Sequence, residues 1–185
     1  MRKIRRTNGF AMIEVLVTVV IVAFGLLGIA GLISRAFVTE VEGTQRTQAL
    51  LLLQDMAARM ESNRGDVAGY LTTIAPITAA AGNCQLEATL VGRDRCEWGR
   101  MLAGANEQIA GRNAGVLVGA RGCIYELDNF NRIYAIAIAW EGMTEGPPPN
   151  SSAGYAPNGC GEGSYGDEKR RRVMSMQLRL GTVGA

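Results

Sequence analysis

The chain has 185 residues, with 19 basic and 17 acidic side chains, four cysteines and no histidine, for a net charge of +2. Without histidine, Ser-His-Asp hydrolysis and His-ligated metal chemistry are excluded. The basic excess is local: without Arg2, Lys3, Arg5 and Arg6 the chain holds 15 basic against 17 acidic side chains, net −2.

After this basic leader (residues 1–9), Phe10 to Ile33 spans 24 residues in which Glu14 alone is charged. At about 1.5 Å per residue the segment is long enough to cross a bilayer core. No small-residue cleavage site follows it, so it reads as a retained anchor and not as an ordinary secretory signal. The positive leader predicts a cytoplasmic N-terminus and an exported remainder. An acid in such a span costs roughly 2.5–3.5 kcal/mol at the centre and less near an end, so Glu14 needs a reason to be there. Gly25, Gly28 and Gly31 recur every three residues. They read either as close helix–helix packing through small residues or as a softened stretch, each glycine costing about 1 kcal/mol in a helix interior.

Ser34 to Arg64 continues as an amphipathic helix, its apolar stripe formed by Phe37, Val41, Ala49, Leu50, Leu53, Met56, Ala57 and Met60. The pattern predicts one helix of roughly 50 residues, or two joined near Gly43, stopped at Ser62-Asn63-Arg64-Gly65. Residues 65–185 suit one small domain, whose core is marginal by surface-to-volume scaling. Val67 to Gly82 reads as a loop containing Pro76, and Glu97 to Ile109 as a short helix carrying Trp98. Three strands follow, within Gly115–Leu127, Arg132–Trp140 and Arg172–Leu180. Asp128-Asn129-Phe130 before Asn131 predicts a hairpin between the first two. The fold class is therefore α+β: a long N-terminal helix, its first half in the membrane, packed through its second half on a small antiparallel β-sheet. A long insertion, Glu141 to Lys169, holds Pro147-Pro148-Pro149, seven glycines and Cys160; loops of this length are functional or disordered.

Cys84, Cys96, Cys123 and Cys160 all lie beyond the apolar segment, on the exported side, and read as two disulfides with three possible pairings. The simplest joins Cys160 to Cys123 across the sheet and leaves Cys84 with Cys96. With no Cys-x-x-Cys spacing and no histidine, zinc is the weaker reading. No active site or cofactor site is discernible. Asp94 and Glu97 read as scattered surface acids, and no glycine-rich segment has the context of a phosphate loop. Lys169-Arg170-Arg171-Arg172 is the one basic run. Nucleic acid is a possible partner for it, but a solvated strand edge that blocks unwanted pairing is favoured. Tyr155 and Tyr165 in the insertion could serve adhesion, and Asn150-Ser151-Ser152 has the form of a glycosylation sequon.

The order of basic leader, Gly9-Phe10, Glu14 and apolar helix resembles the class III signal of type IV prepilins. The resemblance implies cleavage by a prepilin peptidase between Gly9 and Phe10, N-methylation of Phe10, and Glu14 as fifth residue of the mature chain. It departs at Ala11-Met12, where Thr-Leu or Ser-Leu usually follows the Phe before Ile-Glu. Gly25-Leu26-Leu27-Gly28, Ile29-Ala30-Gly31-Leu32 and Gln54 to Asn63 are similar to PilV-type minor pilins, as are the Trp98 helix and Ala139-Trp140. This implies a non-enzymatic, low-abundance subunit, held in the inner membrane by a single span and then extracted into a cell-surface pilus with other minor and major pilins. Glu14 lies four residues after Phe10, hence on the same helix side. In low dielectric its carboxylate needs an opposite charge, which the N-methylated ammonium of a neighbouring subunit supplies. A minor pseudopilin of a type II secretion system is the nearest alternative; a tip subunit for adhesion or DNA binding is another.

Overall fold

The computed structural model describes residues 11–72, 75–78, 83–104, 108–109, 112–113, 115, 117–149 and 159–181. Helix α1, Met12–Ser62, runs 51 residues without interruption at Gly43 and stops where the Ser-Asn-Arg-Gly signal places its end. Between Glu40 and Val41 the chain divides into two compact units.

In the second unit α1 buries Gln45, Ala49, Leu52, Leu53, Met56, Ala57 and Met60, a stripe at steps of three and four residues. Two residues expected in it, Phe37 and Leu50, are exposed. Leu50 sits about 100° round the helix from Ala49, off the line that runs through Leu53, Met56 and Met60, and Leu52 fills the core instead. The chain then tightens into a 3₁₀ turn over Arg64–Tyr70, so the loop expected from Val67 begins only after Tyr70.

Helix α2 is Leu90–Leu102, starting seven residues before the expected Glu97 and ending well before Ile109. Its start is fixed by Thr89, whose hydroxyl accepts from the Gly92 N–H at 3.0 Å. It ends at Ala103 and Gly104, the latter in the left-handed region at φ 66°. Ile109 belongs to a two-residue strand, β1 (Gln108–Ile109), antiparallel to β2 (Arg112–Asn113).

The main sheet is antiparallel, in the order β3 (Val118–Asp128), β4 (Ile133–Glu141), β5 (Arg171–Arg179). The predicted hairpin joins β3 to β4. Asp128 accepts from the Asn131 backbone at 3.0 Å and from its amide at 2.6 Å, and these bonds, the backbone one foremost, hold its carboxyl below the usual range. Strand β4 is buried on both faces, as its continuous apolar run implies. Tyr134, Ile136, Ile138 and Trp140 join the core formed with α1 and α2. Ala135, Ala137 and Ala139 face the other way, where Ala137 and Ala139 cluster with Cys123 and Cys160, flanked by Tyr125, Tyr165 and Val173.

Two tryptophans tie α1 to the rest of this unit. The Trp98 indole donates to the Leu52 carbonyl at 2.8 Å, and Trp140 donates to Gln45 Oε1 at 3.2 Å, so each buried ring has its polar atom satisfied. Trp98 packs against Gly122 of β3. A Cβ there would stand 2.0 Å from Trp98 Cζ3, so this strand position admits only glycine.

The disulfides are Cys84–Cys96 and Cys123–Cys160, with Cα separations of 5.5 and 5.8 Å. The first fastens the turn Cys84–Leu86 to α2; the second fastens the insertion to β3. The described parts of the insertion are not structureless. Residues 159–170 fold over the second face of the sheet, and Gly161 (φ 68°) passes so close that a Cβ would lie 2.9 Å from that of Ala139.

Candidate assembly interface

Glu14 stands in the first turn of α1, its N–H bonded to the Ala11 carbonyl at 2.9 Å. The N-terminal turn of a helix favours an acid through the exposed peptide N–H groups. Gly9, Phe10, Tyr155 and Asn150-Ser151-Ser152 lie outside the described residues. Every residue from Ala11 to Phe37 is exposed, including Val15, Leu16, Ile21, Phe24, Leu27 and Leu32. The helix is long and apolar enough to cross a membrane, with a mean hydropathy of 2.8 over its best 18 residues. Its hydroxyls are satisfied within the helix: Thr18 donates to the Val15 carbonyl at 2.8 Å and Ser34 to the Ala30 carbonyl at 3.2 Å. A surface so apolar on all sides must be covered, by lipid or by other helices. Around Gly25, Gly28 and Gly31 no atom comes within 4 Å of a built Cβ, which leaves room for close approach.

A second feature was invisible in the sequence. Arg59 of α1 binds Asp55 Oδ2 at 2.8 Å, Asp94 Oδ1 at 2.9 Å and Glu97 Oε2 at 2.9 Å. Asp94 is buried, not a scattered surface acid, and its other oxygen accepts from the Tyr70 hydroxyl. Burial opposes the charge on Arg59, but its bonds to Glu97, Asp55 and Asp94 outweigh that and hold the guanidinium firmly protonated. Burial, reinforced by Asp94, pushes the Tyr70 hydroxyl up to about 12. The cluster clamps α2 and the Arg64–Tyr70 turn onto α1. Its acids are engaged by Arg59 and Tyr70, and among the described residues no group of acids or cysteines is arranged to hold a metal ion.

The basic run departs in part from the expected solvated edge: Lys169 and Arg170 are exposed, but the next two arginines are not. Arg171 is buried, pairs with Glu168 and donates to the Cys160 carbonyl at 3.1 Å. Arg170 pairs with Glu141 at 3.1 Å, and Arg172 donates to the Thr144 carbonyl at 2.7 Å, with Glu42 of α1 at 3.7 Å. Glu42 in turn accepts from the Thr144 hydroxyl at 2.6 Å, which, ahead of its other partners, lowers its carboxyl below the ordinary value. Three of the four basic side chains are thus paired within the unit, which argues against a phosphate-binding patch. Tyr165, the adhesion candidate within the described residues, donates to the Gly119 carbonyl at 3.0 Å and is held against the sheet.

Residues 4–30 match the family model of the prokaryotic N-terminal methylation motif. The matched segment contains the basic leader's end, Gly9-Phe10, Glu14 and most of the exposed apolar helix. It supports a type IV pilin-like prepilin, a structural class processed by prepilin peptidase and associating with pilins. The long apolar helix followed by a small antiparallel sheet is a type IV pilin-like arrangement. No curated protein and no solved structure matches the chain.

Proposed function

We propose that this chain is a minor pilin of the PilV type, a structural and priming subunit for assembly of a type IV pilus. Residues 1–9 are the leader removed by prepilin peptidase between Gly9 and Phe10, and Phe10 then carries the N-methyl group. Residues 10–33 hold the chain in the inner membrane by a single span, 34–64 are the amphipathic continuation, and 65–185 form a periplasmic domain that reaches the cell surface when the subunit enters the pilus.

The observation that carries this reading is Glu14: a single acid at the head of a fully exposed apolar helix, inside the matched methylation motif. In lipid the carboxylate is a liability; beside the N-methylated ammonium of a neighbouring subunit it becomes an ion pair in low dielectric. The same residue therefore disfavours remaining in the bilayer and favours joining a filament in register. Glu14→Ala tests this. Membrane insertion should stay intact while incorporation into pili, measured by immunoblot of sheared filaments, falls at least about tenfold, corresponding to loss of about 1.4 kcal/mol. Filament content equal to wild type would remove the role given to Glu14.

A further inference from the structure

The two edges of the main sheet are treated differently. Along β3 the chain covers its own edge: Gly122 exchanges hydrogen bonds of 2.8 and 2.7 Å with Ile77, and Thr72 occupies both backbone groups of Ile124. Among the described residues strand β5 has no such cover. Its register with β4 pairs Ile133 with Arg179 and Glu141 with Arg171. Just beyond each end, the Leu180 N–H bonds the Arg132 carbonyl at 3.1 Å and the Gly142 N–H bonds the Arg170 carbonyl at 2.8 Å. Antiparallel bonding alternates, so the even-numbered residues of β5 face β4. Val173, Ser175, Gln177 and Arg179 therefore point their N–H and C=O groups outward, and among the described residues these groups have no partner.

The side chains agree. From Val173 to Leu178 the strand carries no charge. Met174 and Met176 lie half-buried at the lip of the helix–sheet core, and Val173 at the lip of the Cys123–Cys160 cluster. Natural edges are blunted by charge, proline, bulges or cover; over Val173–Leu178 this one has none of these among the described residues. An added strand would finish both lips at once. A second copy is a poor occupant. Its β3 edge is already covered, and antiparallel β5–β5 pairing centred on Ser175 sets Arg171 opposite Arg179 twice, like charges facing.

We infer that β5 is a docking edge for an extended segment of a different polypeptide, apolar and uncharged over about six residues and bearing a carboxylate where it meets Arg179, by β-strand addition. The inference is independent of the cleavage and methylation reading. Its signature is alternation: the amides of 174, 176 and 178 are protected by β4 in every state, whereas those of 173, 175, 177 and 179 become protected only in the complex.

The test uses the full chain from its native membrane, alone in detergent and within its assembled filament or complex, with residue-resolved amide exchange. A photo-crosslinker at position 177 is combined with it. Exchange at the four odd-numbered amides should slow on the order of 100-fold on assembly, a step in local opening that a strand's pairing readily supplies. The crosslink should map to an uncharged segment of another chain. Ser175→Pro, with the crosslinker kept at position 177, removes an outward donor without touching the β4 ladder, and should abolish both signals while leaving the even-numbered amides protected. Gln177→Pro, read by exchange alone, repeats the test at a second position. Fast exchange at the odd amides in the assembled state, or a crosslink to a second copy of this chain, would overturn the inference.

Discussion

The two halves of α1 solve opposite problems with the same backbone. From Ala11 to Phe37 every residue is exposed and nearly all are apolar, so no side of the helix is distinguished from another. From Gln45 to Met60 a single stripe is buried, and Arg46, Gln54 and Glu61 occupy the solvent side. The second half needs only its own domain. The first half is complete only in a medium or an assembly that covers it, and in the proposed function the one carboxylate it carries, Glu14, distinguishes those two.

Substitutions can sharpen this contrast. Trp98→Ala should have the largest effect on the second unit, about 3–5 kcal/mol, because it empties the space over Gly122 and strips a donor from the Leu52 carbonyl. Urea unfolding of the full chain in detergent measures it, and Leu27→Ala in the exposed half should leave the same transition unmoved. Breaking Cys123–Cys160 as the double Ala variant should cost about 3–4 kcal/mol by the loop-closure argument, and should free the 159–170 segment from the sheet's second face, read as new proteolytic cleavage there.

A smaller effect is pH-dependent. Tyr70 and Tyr165 both titrate near 12 in the folded chain, each chiefly because it is buried, against about 10 when unfolded. A group whose folded value is raised contributes fully below its unfolded value and loses that contribution as pH rises towards the folded one. Stability should therefore hold at neutral pH and fall between about pH 10 and 12, seen as a declining Tm. Tyr70→Phe should make that decline shallower, and an unchanged slope would contradict the buried Tyr70–Asp94 bond. Smallest of all, Lys169→Ala should shift stability by less than about 0.5 kcal/mol.

The architecture was legible wherever local chemistry decided it. The charge-free run after Glu14, the Ser62–Gly65 stop, the Asp128 turn and the β-rich segments each fixed an element from neighbouring residues. The start of α2 was missed because Gly92 and the charged Arg93-Asp94-Arg95 interrupt the apolar pattern that Leu90-Val91 begins. Its signal is the Thr89 cap and the tie from Cys96 to Cys84, and of these only the cap is local. The Arg59 clamp joins residues 35 and 38 positions apart, and no periodicity announces such a meeting. The basic run misled for the same reason. Glu42 and Thr144 reach Arg172 from distant points of the chain, so this cation looked solvated when its partners were simply out of view. Of three possible disulfide pairings, sequence alone left the choice open.

The proposed function requires cleavage between Gly9 and Phe10, and the intact mass and N-terminal sequence of the unreduced protein from its native membrane test it directly. The account predicts a chain beginning at N-methyl-Phe10, its mass lowered by four hydrogens for two disulfides. An uncut chain beginning at Met1 or Arg2 would contradict it and reduce α1 to an ordinary anchor.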